Sequence, residues 1–257
     1  MTYTIITGAS GGIGYEFAKV FAEKNHNLIL VARNIKKLDQ IKIELESKYN
    51  ILVKVYSIDL SKRNASYELH ERIKEEGLKV DNLINNAGFG DWSGFLDSDW
   101  DKQYEMVQLN LISLMHMTYL FGNDMRKNGF GHIMNLSSVA AFLAGPYMSN
   151  YYATKAYVLS FSQSLYEELK GTGVTVTAYC PGPTITGFEK AAYMKKSKMF
   201  TFAKSAVPRD VAVYGYKKMM QGKPVVYHGL VTNIANIGSR IVSRSAARKL
   251  AAIINGK

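Results

Sequence analysis

An apolar run at residues 3–7 leads straight into T-G-A-S-G-G-I-G, and a helical pattern follows from Ile13 to about Lys24. A strand that feeds a helix through so glycine-rich a turn leaves few folds open. The missing side chains let an anion approach the backbone N–H groups at the helix N-terminus, where the helix dipole also favours it. Strand before and helix after is the context that gives such a glycine trio meaning. Gly8, Gly12 and Gly14 therefore predict a dinucleotide site at the end of the first strand.

The rest of the chain extends this unit. Short apolar strands are expected at residues 27–32, 52–57, 80–85, 131–137 and 174–179, with a further short one at 224–227. Between them lie helical patterns. One carries Ile35, Leu38, Ile41, Leu45 and Tyr49, others cover about 66–76 and 152–170, and a long one runs from about 98 to 127 and ends at Asn128-Gly129. Strands alternating with helices predict an α/β fold, a Rossmann-like doubly wound parallel sheet of about seven strands with helices on both faces. No linker or repeat interrupts it, so a single domain over residues 1–257 is expected. Within it, 1–182 would form the cofactor-binding core. Residues 183–207, mixing aromatics and Met with lysines, would be an excursion near the substrate. A helix is expected at 208–220 and a basic helix within 239–257.

Only Cys180 could form a disulfide, so none is expected within the chain and a cytoplasmic setting follows. The apolar strand at Tyr3 leaves no room for a signal peptide, and no apolar run approaches bilayer-spanning length. The net charge of +11 is unevenly placed. Residues 1–189 carry 18 Lys and Arg against 20 acids, whereas residues 190–257 carry 14 against Asp210 alone. Either an anionic partner or a solubilising surface would explain this. In the basic helix Arg240, Arg244, Arg248 and Lys249 stand beside Ile241, Val242, Leu250, Ile253 and Ile254, a mixture that predicts peripheral contact with an anionic membrane. No nucleic acid is expected, since no recognised binding module is present.

Residues 135–155 concentrate the chemistry. Tyr151 and Lys155 are four apart, which on a helix puts both on one face. An ammonium beside a phenol favours phenolate, and a tyrosine tuned this way can give a proton to a carbonyl or take one from an alcohol. A solvated surface pair would show the same spacing. His116, His132 and His228 have no partner spacing for a metal or a triad, so no metal is expected.

T-G-x-x-x-G-x-G, N-N-A-G at residues 85–88, Ser138, Tyr-x-x-x-Lys and Pro181-Gly182, in that order, resemble the short-chain dehydrogenase/reductase family over about residues 3–190. A-T-K-A-Y-V-L-S-F-S-Q-S-L and C-P-G-P-T-I-T-G-F are similar to its branch of DltE-type oxidoreductases and 17β-hydroxysteroid and 3-ketoacyl reductases. The resemblance implies the roles that follow. Tyr151 would be the acid, Lys155 would lower its pKa and bond the nicotinamide ribose, and Ser138, thirteen residues before Tyr151, would hold the substrate oxygen. Ser137 would satisfy backbone at the strand end. Asn110 would keep a water beside the lysine. Ser10 and Ile13 would join the three glycines around the pyrophosphate, and Asn86, Ala87 and Gly88 would bring backbone to the ribose. Asp59 with Leu60 would meet the adenine, unless Asp59 merely caps a helix. Pro181, Gly182, Thr184 and Thr186 would lie along the nicotinamide. Homodimers or homotetramers built on the two long helices are common in the family.

Cofactor choice has its own physical basis. A carboxylate at the end of the second strand accepts from a ribose 2′-hydroxyl and repels a 2′-phosphate. Here Ala32 is followed by Arg33 and Asn34, and a guanidinium matches phosphate in charge and geometry. NADP(H) is therefore expected. The glycine turn holds Ser10 where firmly NADP-dependent relatives carry a basic residue, so the preference is expected to be moderate. Phe89, Phe142, Tyr147, Tyr193, Met194, Met199 and Phe202 would make an apolar substrate lining, and the resemblance implies that Ile185 and Phe188 flank Thr186 where it meets the nicotinamide carboxamide. The function implied is NADP(H)-dependent hydride transfer that reduces a hydrophobic carbonyl compound or oxidises its alcohol. A non-catalytic nucleotide-binding protein that contacts a membrane surface is the alternative. It leaves Ser138, Tyr151, Lys155 and Asn110 without a purpose.

Overall fold

The computed structural model describes residues 1–187 and 205–256. Seven strands form one parallel sheet in the order β3-β2-β1-β4-β5-β6-β7. They are β1 (Thr2–Thr7), β2 (Asn27–Ala32), β3 (Val53–Ser57), β4 (Lys79–Asn85), β5 (Gly131–Leu136), β6 (Val174–Pro181) and β7 (Val225–His228). The order reverses between β1 and β4. Such a switch point opens a crevice at the carboxyl ends of the strands, where open α/β sheets bind ligands.

The middle of the sheet is strongly apolar because both of its faces are covered. Leu28, Ile29, Leu30 and Val31 of β2 are all fully buried. On one face, α1 (Gly12–Glu23) and α2 (Ile35–Lys48) supply Phe17, Phe21, Leu38 and Leu45. A later helix there, α7 (Pro208–Met220), adds Val211 and Met219. Tyr179 of β6 fills the middle of that layer and donates its hydroxyl to the Val211 carbonyl at 2.6 Å. On the other face, α3 (Ala65–Glu75) and α5 (Leu114–Asn128) bring Leu69, Ile73, Met117, Phe121 and Met125, and α6 (Ser149–Glu168) adds Leu165.

The long helix expected over 98–127 is interrupted. Asp99 caps α4 (Trp100–Val107) by accepting from the Lys102 N–H, and a π-helical stretch (Gln108–Ser113) joins it to α5. Gly129, at φ +71°, ends α5 in the left-handed conformation. The basic C-terminal segment also departs from one helix. It forms α8 (Leu230–Ile241) and α9 (Arg244–Asn255), and the break falls at Ser243, whose hydroxyl accepts from the Ala246 N–H and starts a new helix.

Candidate active site

The glycine turn opens the site. Gly8 has φ +67°, and a Cβ there would lie 2.8 Å from Asn86 Nδ2. A Cβ on Gly14 would lie 2.4 Å from the Gly8 carbonyl oxygen. Both positions therefore need glycine, one for conformation and both for space. Asn86 braces the turn by donating to the Thr7 carbonyl at 2.8 Å, while the Thr7 hydroxyl accepts from the N–H groups of Asn86 and Ala87. Helix α1 starts without a side-chain cap or an acid in its first turn, so its N-terminal N–H groups are open to an anion.

A cleft of about 430 Å³ runs from this turn along the ends of β4, β5 and β6. Of the residues expected to bind cofactor or substrate, Gly8, Ser10, Gly12, Ile13, Asn86, Ala87, Gly88, Ser138, Tyr151, Lys155, Pro181, Gly182, Thr184 and Thr186 line it. A nicotinamide dinucleotide suits this lining: backbone N–H groups and glycines at one end, hydroxyls and a lysine at the other. Gly14 sits behind the turn as packing.

Other expected contacts lie off the lining. Leu60 is buried in the core under α3, and Asn34 uses its side chain to cap α2 through the Lys37 N–H at 3.1 Å. Asp59 accepts from both the N–H and the hydroxyl of Ser61, at 3.0 and 2.7 Å, which closes a local turn. The next helix starts further on, after Asn64, whose side chain makes no capping bond. These bonds and the Arg33 charge hold the Asp59 carboxyl below its usual range even though its partial burial pushes the other way. Arg33 itself is exposed. A cation that sequence reading missed does line the cleft. Lys37 lies in the first turn of α2 and meets the same cleft as Ser10 and Gly12.

Ser138, Tyr151 and Lys155 are brought together. Ser138 follows β5 directly, and its hydroxyl accepts from the Ala140 N–H at 3.1 Å, fixing the entry to the turn Val139–Phe142. It also hydrogen-bonds the Tyr151 phenol. Lys155 is buried, with Nζ donating to the Leu136 carbonyl at 2.8 Å and lying 5.7 Å from the centre of the Tyr151 ring. Ser137 donates to the Lys155 carbonyl at 2.8 Å, tying α6 to the end of β5. Burial pushes the Lys155 ammonium down to about 8. Against the expectation of a phenol drawn towards neutrality, desolvation in the cleft pushes Tyr151 up to about 12, with the Ser138 bond opposing it.

Asn110 lies in the π-helical stretch and is buried. Its side chain clasps the backbone of one residue, accepting from the Phe89 N–H at 3.0 Å and donating to the Phe89 carbonyl at 2.8 Å. A Cβ on Gly88 would meet Asn110 Oδ1 at 2.9 Å and Lys155 Nζ at 3.6 Å, so Asn110, Gly88 and Lys155 form one cluster. Below it lies a buried polar chain that sequence reading did not see. Asn85 donates to Asn135 at 2.8 Å and to Thr118 at 3.0 Å, and Asn135 donates to Ser162 at 3.0 Å. Satisfied inside the core, this chain locks β4, β5, α5 and α6 in register beneath the site.

Phe89, Val139, Ala140 and Met148 give the cleft an apolar wall. Phe142 instead packs against Tyr227, with ring centres 5.8 Å apart, and joins a second groove between Ala141 and Ala156. Tyr147 has φ +63° and is exposed. Ile185 is exposed, and the strand-like bridge of Thr184 with Ala206 closes the base of the expected excursion. Phe188, Tyr193, Met194, Met199 and Phe202 lie outside the described residues. His132 pairs with Thr175 at 2.7 Å, and His228 lies edge-on to Tyr214.

A family model described as short chain dehydrogenase matches residues 2–197. The curated very-long-chain 3-oxoacyl-CoA reductase of Bos taurus is 31% identical over 241 residues, covering 91% of this chain and 74% of that protein. The chain spans 61% of the Anas platyrhynchos reductase of the same name. Among solved structures, a short-chain dehydrogenase from Sphingobium yanoikuyae in complex with NADPH matches with a TM-score of 0.83 at 29% identity, covering 94% of each chain. The bulky-bulky ketone specific alcohol dehydrogenase from Comamonas testosteroni matches with a TM-score of 0.79 at 28% identity, covering 90% of this chain and 87% of that one.

Proposed function

This chain belongs to the short-chain dehydrogenase family of oxidoreductases, and from that premise we propose that it is an NADP(H)-dependent reductase of a hydrophobic carbonyl compound. The observation that carries the reading is the meeting of Ser138, Tyr151 and Lys155 in the cleft that begins at the glycine turn. Gly8, Gly12, Ser10 and the first turn of α1 would hold the pyrophosphate, and Arg33 with Lys37 the 2′-phosphate. Bound there, the cofactor would supply the hydride that reduces the carbonyl carbon.

The chain's own residues would handle the proton. Burial keeps the Tyr151 phenol protonated through neutral pH, the form a carbonyl reduction consumes. Ser138 would position the substrate oxygen beside that phenol. Lys155, charged below about pH 8, would stabilise the phenolate left when the proton is given up. Asn110 would keep the Phe89 peptide, and with it Gly88, against Lys155.

The apolar wall of Phe89, Val139, Ala140 and Met148 suits a lipophilic ketone or acyl chain, and the relatives named for 3-oxoacyl-CoA and bulky ketone substrates support that class. A homodimer or homotetramer through α5 and α6 is part of the proposal, because Tyr119 and Tyr157 leave aromatic surface exposed there. A cytoplasmic site of action is the other part. The test is loss of NADPH absorbance with a panel of bulky ketones and 3-oxoacyl thioesters, wild type against Tyr151→Phe. No turnover across the panel, or full turnover by the phenylalanine variant, rejects the reading.

A further inference from the structure

We propose that α8 and α9 form a docking surface for the anionic face of a lipid bilayer. In α8, Leu230, Ile234, Ile237 and Ile241 recur at helical spacing along one side. They are 76, 60, 58 and 79% exposed. Val242, Leu250 and Ile253 continue the apolar surface onto α9, and each is also exposed. A row of bare aliphatic side chains on two successive amphipathic helices is not how a soluble surface is ordinarily finished.

The charge around the row specifies what covers it. Residues 211–257 contain eight Lys and Arg and no acid. Of these, Arg240, Arg244, Arg248 and Lys249 belong to the two helices or the turn between them, and all four are exposed. A second copy docked through this face would set these cations against their own counterparts, because a two-fold interface pairs each patch with itself. No acid within the face would offset the repulsion. A phospholipid surface with anionic headgroups satisfies both features, taking the aliphatic row into the headgroup–acyl boundary and the cations at the phosphates. Among the described residues no helix is long and apolar enough to cross a membrane, so the contact is peripheral.

The surface is held firmly to the body. Ala251 and Asn255 on the inner side of α9 are buried. The Asn255 carbonyl accepts from the Trp92 indole at 2.8 Å, and its side chain donates to the Pro146 carbonyl at 3.2 Å and bonds the Tyr152 hydroxyl. In α8, Thr232 is buried against Gly182 of the cleft, where a Cβ on the glycine would lie 3.1 Å from the threonine oxygen. Docking through the outer sides of both helices would leave these contacts intact and place the cleft beside the lipid. The proposal stands on this surface and does not depend on the catalytic reading.

The test is sedimentation of the full chain with vesicles of phosphatidylcholine alone or mixed with phosphatidylglycerol. Binding to the mixed vesicles and not to the neutral ones, reversed by salt, is expected. Neutralising all four cations (Arg240→Gln, Arg244→Gln, Arg248→Gln, Lys249→Gln) is expected to weaken binding by about a hundredfold or more, from the usual contribution of a basic residue near such a surface. Ile234→Asn with Ile237→Asn, at positions already exposed, provides a second loss variant, and thermal unfolding checks that both variants fold. Absence of binding to the mixed vesicles, equal binding to neutral ones, or wild-type binding by both variants overturns the proposal. So does a wild-type oligomer that the isoleucine pair dissociates, which would mean that a second copy covers the row.

Discussion

Lys155 lies beneath the ring of Tyr151, with Nζ 5.7 Å from its centre, and spends a hydrogen bond on the Leu136 carbonyl. The lysine is thereby fixed by the strand that also delivers Ser138, so the three side chains are set by one junction between β5 and α6. Tyr151→Phe removes the proton donor while leaving the ring and its packing. The expected result is a fall in kcat of about 10²–10⁴-fold with NADPH affinity kept, measured by steady-state turnover and by fluorescence titration of the cofactor.

The same burial predicts a pH dependence. Lys155 sits at about 8, below a lysine's ordinary value, so its charge disappears as pH rises through that point, while Tyr151 keeps its proton up to about 12. The profile of kcat/KM for ketone reduction should therefore fall on the alkaline side near pH 8. Lys155→Met should lower the plateau and abolish that limb. For stability the sign is opposite. Between about pH 8 and the unfolded lysine value near 10.4, the unfolded chain binds more protons than the folded one, so this residue's contribution to stability rises with pH across that window. A limb that persists unchanged in the methionine variant would reject the assignment.

Asn110 carries a structural prediction that can be separated from catalysis. Its amide satisfies both the N–H and the carbonyl of Phe89, and Asn110→Leu would leave these half-buried groups without that partner. Each such loss costs about 1–3 kcal/mol, and in a protein of this size each kcal/mol lowers the thermal midpoint by about 2–4 °C. Calorimetry should show a drop of several degrees. Turnover should fall as well, since Gly88 loses its backing against Lys155. An unchanged midpoint would show that Asn110 does not hold this peptide.

The sheet was legible in the sequence because its strands are buried on both faces. A run such as N-L-I-L-V-A has few other places to go, and the helices between the strands show their buried side as a clear apolar period. The glycine turn was legible for a related reason, since bare backbone close to Asn86 and Gly8 tolerates no other residue. The bend at Asn110 was not, because Q-L-N-L-I-S has the composition of any helix and only the peptide it clasps, 21 residues earlier, reveals the distortion. Lys37 escaped for the same kind of reason. Its neighbours in the cleft come from a turn more than twenty positions away, and on α2 alone it reads as an ordinary surface lysine. The basic helix expected within 239–257 is α9 with the end of α8. Ser243 resembles any polar residue until its hydroxyl accepts from the Ala246 N–H, and most of α8 lies before the expected range.

Gly14 gives a sharp test of the turn. An added methyl would meet the Gly8 carbonyl oxygen at 2.4 Å and Asn86 Nδ2 at 2.5 Å, neither of which is the free end of a long side chain. Gly14→Ala should therefore displace either the turn or the Asn86 brace, and NADPH affinity should fall while the sheet stays folded. Cofactor titration together with far-ultraviolet circular dichroism separates the two effects. Normal affinity in the alanine variant would mean that the turn does not set the cofactor's position.

The proposed preference for NADP(H) rests on two cations, Arg33 just after β2 and Lys37 in the first turn of α2. Arg33 is exposed and close enough to lower the Asp59 carboxyl pKa, and Lys37 enters the cleft from the first turns of α2. Both would contact a 2′-phosphate, and neither has a comparable partner in a cofactor that lacks one. A hydrogen bond between charged groups contributes about 1.5–3 kcal/mol, so losing both should raise KM for NADPH by about a hundredfold or more. The double variant Arg33→Ala with Lys37→Ala is expected to do this while leaving KM for NADH nearly unchanged. Assayed singly, Lys37→Ala should account for part of the loss, because it is the cation already lining the cleft. If the double variant shifted both cofactors equally, the two residues would be supporting the turn, and the 2′-phosphate would have to be recognised elsewhere.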